Sequence, residues 1–437
     1  MDSKSSLEKI IARFDRYHPE RIDLTLERIV RLLDKLNSPH KDLPHVIHVA
    51  GTNGKGSTIA FLRSIYEAAG LVVSTYTSPH LVGFNERYVL EGNIIPESDL
   101  CTIFNEVEVI NNGELITQFE ILTAAAFLSL SRTNSDIVLI ETGLGGRFDA
   151  TNVIENPMAT IITPVSMDHE FFLGSDIITI AGEKAAIQKR GAKSIVAPQS
   201  SEVMKVIERQ GIEVGAKIYQ AGVDYEFEGV QNGFSYKSKM LSITIPRMSL
   251  VGPHQMINAA TAIACVEQCE QIQIDKKHII SGISNASWSG RLELLSDGLL
   301  KQCLPQGWDV WLDAGHNEAA GKALSGSLSE IHLGHKKPLH IFFGMLEDKN
   351  PAVFLKPLVK YAASLTAVPL VDEPRGHAPD DLLALLRDEG INAMSESSIE
   401  EALYNLAKKS HLATILICGS HSLVGRIIGL NTPIKLK

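Results

Sequence analysis

The segment "HVAGTNGKGST", residues 48 to 58, sets Gly51, Gly54 and Gly56 around a single Lys55, with Thr52, Asn53, Ser57 and Thr58 completing the turn. Small residues let backbone amides approach an anion, a lysine neutralises it, and a hydroxyl orients a phosphate or its magnesium. That chemistry is polyphosphate binding. The spacing departs from G-x-x-x-x-G-K-[ST], because Gly51 stands three residues before Gly54 and Gly56 separates Lys55 from Ser57. A GTPase would add an N/T-K-x-D motif to read its base, and a dinucleotide turn would read G-x-G-x-x-G with an acid about twenty residues on. Neither pattern is met, and ATP is the nucleotide the loop implies.

Such a loop needs a strand to end on and a helix to begin. The apolar run Val46-Ile47-His48-Val49-Ala50 precedes it and the periodic "IAFLRSIYEAAG" follows, so the helix N-terminus adds its dipole to the anion site. Further strand-like runs, "IVLIE" (137–141), "ATIITPV" (159–165) and "SIVAP" (194–198), each precede helical periodicity, the pattern of a parallel sheet covered by helices. Gly70 is expected to end the helix after the loop, and Gly191 the helix containing "EKAAIQKR". Residues 217 to 250 carry short β-rich pieces between Gly and Asn turns and read as a small antiparallel insertion, followed by the helix "HQMINAATAIACVEQCEQI". A linker is expected around 288 to 300, dividing a domain of residues 1–295 from one of 296–437. Beyond it "DVWLDAGH", "LHIFFGM", "SLTAVPL" and "TILICGS" restart the alternation. The fold class is α/β: a P-loop-type parallel sheet, then a smaller Rossmann-like α/β domain.

The 437 residues exceed what one core normally serves, and 44% hydrophobic with 21% charged residues suits a soluble enzyme. The net charge of −10 is opposite to a nucleic-acid binder's, so a local site must hold any polyanion. No run approaches the roughly 18 apolar residues of a membrane span; "ILTAAAFLSLS" (121–131) reads as a buried helix. "MDSKSSLEKI" lacks an apolar secretory core, and a cytoplasmic location with no membrane partner is expected. The five cysteines are scattered, and Cys265 and Cys269, four apart on a helix, read as core thiols rather than metal ligands.

In order along the chain stand "GTNGKGS", "TSPHLVGFNERY", "TQFEILTAAAF", "ETGLGGRFDATN", "DHEFFLG", "EKAAI", "HQMINAATA", "SGRLE" and "DAGHN". This succession resembles the folylpolyglutamate synthase family of the Mur ligase superfamily, whose bacterial members include bifunctional dihydrofolate synthases. It covers nearly the whole chain, from about residue 20 to "CGSHSLVG". Ala186 where glycine is common, "DAGHNEA" in place of "DGAHNP", and the placement of His421 depart from the family pattern without removing a charged group.

The resemblance implies an ATP-dependent amide ligase: a pteroate or folate carboxylate takes the γ-phosphoryl group, and the amine of L-glutamate attacks the acyl phosphate. Substrates would be dihydropteroate, tetrahydrofolate, L-glutamate and ATP, and the enzyme a monomer. Catalytic roles fall on Lys55, Lys184, His169, Asp313 and His316. The nucleotide would be held by residues 51–58 with Asn258, Arg291 and Asp313, the two domains closing over it. Two magnesium ions would use Ser57, Ser78, Glu141 and His169, with Lys184 carbamylated into an oxygen ligand, and a monovalent cation is a further expectation. Ile22, Asp23, Leu24, Thr117, Gln118, Phe119, Glu120, Phe148, Asp149 and Ala150 match family positions for dihydropteroate, and Ser420 falls on the glutamate side. Read alone, Glu141 at the end of an apolar strand already sits where open α/β sheets bind ligands. Ser78, His169, Lys184, Phe119 and Phe148 alone would read as ordinary structural residues.

Three rivals remain in view. A monofunctional folylpolyglutamate synthase would share every motif. A cell-wall Mur ligase would place a uridine-nucleotide domain ahead of a loop that here begins at residue 51. A non-catalytic ATP-binding scaffold would have no use for the full set of metal and phosphate residues.

Overall fold

Strands buried on both faces read as unbroken apolar runs, and the run at 46–50 becomes the middle of the first sheet. The computed structural model describes residues 6–18, 23–231, 233–334 and 337–432, and divides into two units. The first unit takes residues up to Ser166, Leu173–Ser249 and Ile257–Ser287; the second takes Met167–Phe172, Leu250–Met256 and Trp288 onward.

The first unit is built on eight strands: β1 (His45–Ala50), β2 (Val73–Tyr76), β3 (Tyr88–Leu90), β4 (Asn93–Ile94), β5 (Ile137–Glu141), β6 (Ala159–Ile162), β7 (Lys193–Val196) and β8 (Lys217–Gln220). Their order is β4-β3-β2-β5-β1-β6-β7-β8. β2, β5, β1, β6, β7 and β8 are parallel, while β3 and β4 pair antiparallel at one edge. Because β1 lies between β5 and β6, the chain leaves it toward one side and later crosses to the other. That reversal is where open α/β sheets form a crevice beyond the carboxyl ends of their strands.

The helix Lys55–Ala68 follows β1 and stops before Gly70, which adopts φ +86°, the left-handed conformation of a helix terminus. Helix Gln118–Ser131 is buried along nearly its whole length, as expected of "ILTAAAFLSLS". It begins with a capping box in which the Thr117 hydroxyl accepts the Glu120 amide and the Glu120 carboxylate accepts the Thr117 amide. One core of this unit gathers Phe14, Leu32, Phe104, Phe127 and Ile140; a smaller one joins Ala181, Val196 and Ile207.

In this unit two expected boundaries change. The helix Ile177–Ala185 ends six residues before Gly191, because the buried Gln188 amide turns to donate to Ser194 Oγ (2.8 Å) and Lys189 Nζ reaches the Asn152 carbonyl (3.2 Å). The antiparallel insertion is confined to β9 (Tyr225–Val230), β10 (Gly233–Ser238) and β11 (Ser242–Ile245), whereas Lys217–Gln220 joins the main sheet beside β7. Cys265 and Cys269 are buried thiols.

The second unit holds β12 (Glu293–Leu294), β13 (Gly307–Asp313), β14 (Leu339–Phe343), β15 (Ala362–Ala367), β16 (Met394–Ser395) and β17 (Leu412–Cys418), in the order β12-β13-β17-β14-β15-β16. All are parallel except β12. Its core includes Leu324, Phe343, Phe354, Leu382 and Leu416. The stretch 288–300, expected as a linker, is part of this unit, since β12 pairs with β13 and a short helix starts at Leu299.

Candidate active site

In the first unit the residues of interest collect beyond the carboxyl ends of β1, β2, β5 and β6. Gly51 has φ +146°, and a Cβ there would overlap the Thr163 hydroxyl; Gly54 has φ +91°, and a Cβ there would overlap the Asn258 amide. Only glycine fits either position, and Asn258 is thereby brought onto the loop. Thr52 and Asn53 donate their amides to the Pro164 carbonyl (3.1 and 3.3 Å), and Thr52 Oγ1 donates to the Ser166 carbonyl (2.9 Å). These two amides are committed to the loop after β6. The first helical bond runs from the Thr58 amide to the Gly54 carbonyl, so the amides of Lys55, Gly56 and Ser57 precede the helix ladder, the arrangement by which helix N-termini bind anions.

Lys55 Nζ donates to the carbonyls of Gly51 (3.1 Å) and Thr52 (3.3 Å) and lies 3.9 Å from Glu141 Oε1. Glu141 is buried at the end of β5, and its Oε2 accepts the Ser78 amide at 3.3 Å. Ser57 and Thr58 are buried under the loop. Lys184 is buried in the last turn of its helix.

The groups expected around a pterin are less uniform. Ile22 lies outside the described residues. Phe119 is half-buried, and a Cβ at Gly143 would overlap its ring, so the ring lies flat on that backbone; Phe148 is 43% exposed. Leu24 and Gln118 are half-buried, and Gln118 Nε2 donates to Asp15 Oδ1 at 2.9 Å. Glu120 is buried, with Oε2 accepting Arg28 Nε at 2.9 Å, while the other side of Arg28 donates to Asp23 Oδ2 (2.8 Å) and the Asp23 carbonyl (2.7 Å). Arg28 therefore ties Asp23 to the start of helix Gln118–Ser131.

Asp149 points into the protein beside the buried Ala150. Its carboxylate accepts the amides of Gly143 (2.9 Å), Leu144 (2.8 Å) and Thr151 (3.0 Å) and the Thr151 hydroxyl. Burial pushes its pKa up against the opposing pull of those hydrogen bonds. Behind it, His48 Nε2 meets Thr151 Oγ1 at 2.8 Å, and burial lowers the imidazole pKa to about 3, helped by the charge of Lys189.

In the second unit, Asp313 ends β13 and is buried, its oxygens accepting the amides of Gly315 (2.7 Å) and Leu292 (2.8 Å). Arg291 donates to the Gly290 carbonyl (3.1 Å) and reaches His421 Nε2 (3.3 Å). Ser420 is buried as the N-cap of helix His421–Asn431, its Oγ accepting the Ser422 amide. His316 Nε2 stands 3.8 Å from Asp168 Oδ2. His169 carries φ +53°, a conformation rare for a residue with a side chain and enriched at functional sites.

Sequence reasoning missed a pair here. Lys349 Nζ lies 2.6 Å from Asp168 Oδ1, and Asn317 Nδ2 donates to Asp168 Oδ2 at 2.9 Å. Burial opposes ionisation of Asp168, but the hydrogen bond to His316 and the charges of His169, His316 and Lys349 outweigh it and hold the carboxyl well below the usual range. Its only signal was adjacency to His169 in "DHEFFLG"; Lys349 is one lysine after an apolar strand. Arg28 was also passed over, as were His80 and Arg87, which lie inside the motif "TSPHLVGFNERY".

The Mur ligase middle domain model matches residues 49–266, and the Mur ligase glutamate ligase domain model matches residues 290–421. The chain is 34% identical over 410 residues to the dihydrofolate synthase/folylpolyglutamate synthase of Bacillus subtilis (strain 168), covering 90% of this chain and 92% of that protein. Among solved structures, E. coli FolC in complex with DHPP and ADP superposes with a TM-score of 0.87 at 31% identity, over 98% of this chain and 97% of the other. A bifunctional folylpolyglutamate synthase/dihydrofolate synthase with Mn, AMPPNP and L-glutamate bound gives 0.85 at 29% identity, over 98% of both chains. With the phosphate loop, the strand-end carboxylate and both domain matches in place, the chain belongs to the dihydrofolate synthase/folylpolyglutamate synthase family of ATP-dependent Mur-type ligases.

Proposed function

We propose that this protein uses ATP to join L-glutamate to dihydropteroate and to reduced folates. The observation that carries the reading is the approach of Lys55, on the loop after β1, to the buried Glu141 at the end of the neighbouring β5. A carboxylate is a poor electrophile. Transfer of the γ-phosphoryl group gives one carboxylate oxygen a good leaving group and releases ADP; the glutamate amine then attacks the carbonyl carbon, phosphate departs, and the amine loses a proton.

Lys55 and the amides of Lys55, Gly56 and Ser57 neutralise and orient the terminal phosphates, the work that dominates phosphoryl transfer. Ser57, Ser78 and Glu141 offer hard oxygen donors, and Glu141 is a buried carboxylate beside a cation, so the donor set fits magnesium. That ion supplies charge neutralisation on the phosphates when bound. His169 and a carbamylated Lys184 are assigned to a second ion. Burial favours the assignment for Lys184, since carbamylation replaces a desolvated ammonium with an oxygen ligand. Full activity of Lys184→Ala, with no mass increase on Lys184 in bicarbonate, would remove it. A monovalent cation is kept as an expectation without a residue assigned. Asn258, Arg291 and Asp313 are assigned to the nucleotide, His316 and Ser420 to the glutamate side, and Asp23, Leu24, Thr117, Phe119 and Phe148 to the pterin.

Among the described residues no helix is long and apolar enough to cross a membrane; a cytoplasmic, monomeric enzyme is the form proposed. The test measures phosphate release with ATP, glutamate and either dihydropteroate or tetrahydrofolate, reading products by mass. Glutamate-dependent release and a one-glutamate mass gain with both acceptors are expected. Release that does not depend on an acceptor would end the proposal.

A further inference from the structure

The loop from Thr77 to Tyr88 builds a cationic fork that the roles above do not use. Thr77 donates its amide to the Arg87 carbonyl (3.0 Å), so the two ends of the loop meet where β2 and β3 pair. Inside it, the Glu86 carboxylate accepts the amides of Leu81 (2.9 Å), Val82 (3.0 Å) and Gly83 (2.7 Å). Arg87 Nε donates to His80 Nδ1 at 3.0 Å, and the guanidinium carbon sits 4.5 Å from the centre of the Phe84 ring. His80 packs on Phe84 as well, with ring centres 5.1 Å apart, and Phe84 is anchored against Tyr88 and Phe104.

One edge and one face of the guanidinium are therefore fixed. Among the described residues its two terminal nitrogens have no hydrogen-bond or ion-pair partner, and Arg87 is half-buried. A guanidinium held this way presents two parallel N–H groups spaced for the two oxygens of a carboxylate.

Its position selects the anion. Along the carboxyl edge of the sheet the order is the phosphate loop after β1, Glu141 ending β5, Ser78 after β2, and Arg87 entering β3. Arg87 is three strand spacings, about 14 Å, from the strand bearing the phosphate loop, with Ser78 and Glu141 between. A group there is too far along the edge to be a second phosphate-loop lysine and is placed for whatever meets the end of the triphosphate.

We propose that Arg87 binds the carboxylate of the acceptor acid, with His80 and Phe84 as positioning residues that hold the fork. This deepens, and rests on, the ligase reading above. The test compares dihydropteroate with its carboxamide, which keeps the shape but loses the negative charge, as ligands of the full-length protein, with ADP affinity measured alongside. The intact protein should prefer the acid by about tenfold or more. Arg87→Lys, which keeps a charge but loses the fork, should raise the KM for the acid at least about fivefold and shrink the acid-to-amide preference, leaving ADP affinity within about twofold. An unchanged preference, or a loss falling on ADP instead, overturns the assignment. Should Arg87→Lys not accumulate as folded protein, His80→Leu decides: its acid-to-amide preference must fall, and an unchanged value overturns the proposal equally. An intact protein without acceptor-dependent phosphate release defeats the ligase reading and this assignment together, whereas an active protein indifferent to Arg87→Lys defeats this assignment alone.

Discussion

Lys55 and His48 lie on either side of the same glycine turn, yet only His48 is wholly buried. Lys55 Nζ donates to two carbonyls and stands 3.9 Å from Glu141. Lys55→Met is expected to lower kcat by roughly 10²–10³-fold, the usual loss when one group stabilising transition-state charge is removed, with the melting temperature little changed. His48 is wholly buried and neutral, and its pKa of about 3 has a stability consequence. The unfolded chain takes up a proton near pH 6.5 while the folded one resists until about 3. The His48 contribution is therefore complete above pH 6.5 and declines as pH falls toward 3, by up to about 1.4 kcal/mol per pH unit. Urea denaturation of the parent and His48→Gln between pH 4.5 and 7.5 checks this: the parent should lose stability more steeply on acidification. Parallel curves would show that the ring is not held neutral.

At the scale of elements, the capping box before helix Gln118–Ser131 does two jobs, starting the helix and presenting Glu120 to Arg28. Thr117→Val removes the hydroxyl cap and should cost about 1 kcal/mol, lowering the melting temperature by roughly 2 °C, which calorimetry would register. The long strands were legible because a strand buried on both faces has no polar alternation to disguise it: "IVLIE" and "TILICGS" appear as β5 and β17. β8 was not legible. Its four residues, Lys217 to Gln220, are none of them buried, and only its place beside β7 makes them a strand. The helix expected to reach Gly191 stops at Ala185 because Gln188 and Lys189 find tertiary partners that no local pattern announces. The phosphate loop could be read locally since its chemistry is contiguous. Asp168 and Lys349 could not, being 181 positions apart in the chain.

For the molecule as a whole, the division into units is interleaved rather than end to end, because Met167–Phe172 and Leu250–Met256 belong with the second unit although first-unit segments flank them. A fragment of residues 288–437 would thus leave the buried Lys349 without Asp168. Removing one partner of a buried ion pair typically costs about 3–5 kcal/mol. The fragment is expected to lack a cooperative thermal transition by circular dichroism, and a sharp melt like that of the intact chain would contradict this. The overall charge of −10 adds that anionic substrates are drawn by local cations against the average field. The interleaving also constrains how such a protein can be recombined with its relatives. A chimaera spliced at the single seam near residue 288 would inherit a second unit whose six-residue and seven-residue strips came from the other parent, so a working exchange has to move three pieces of gene together.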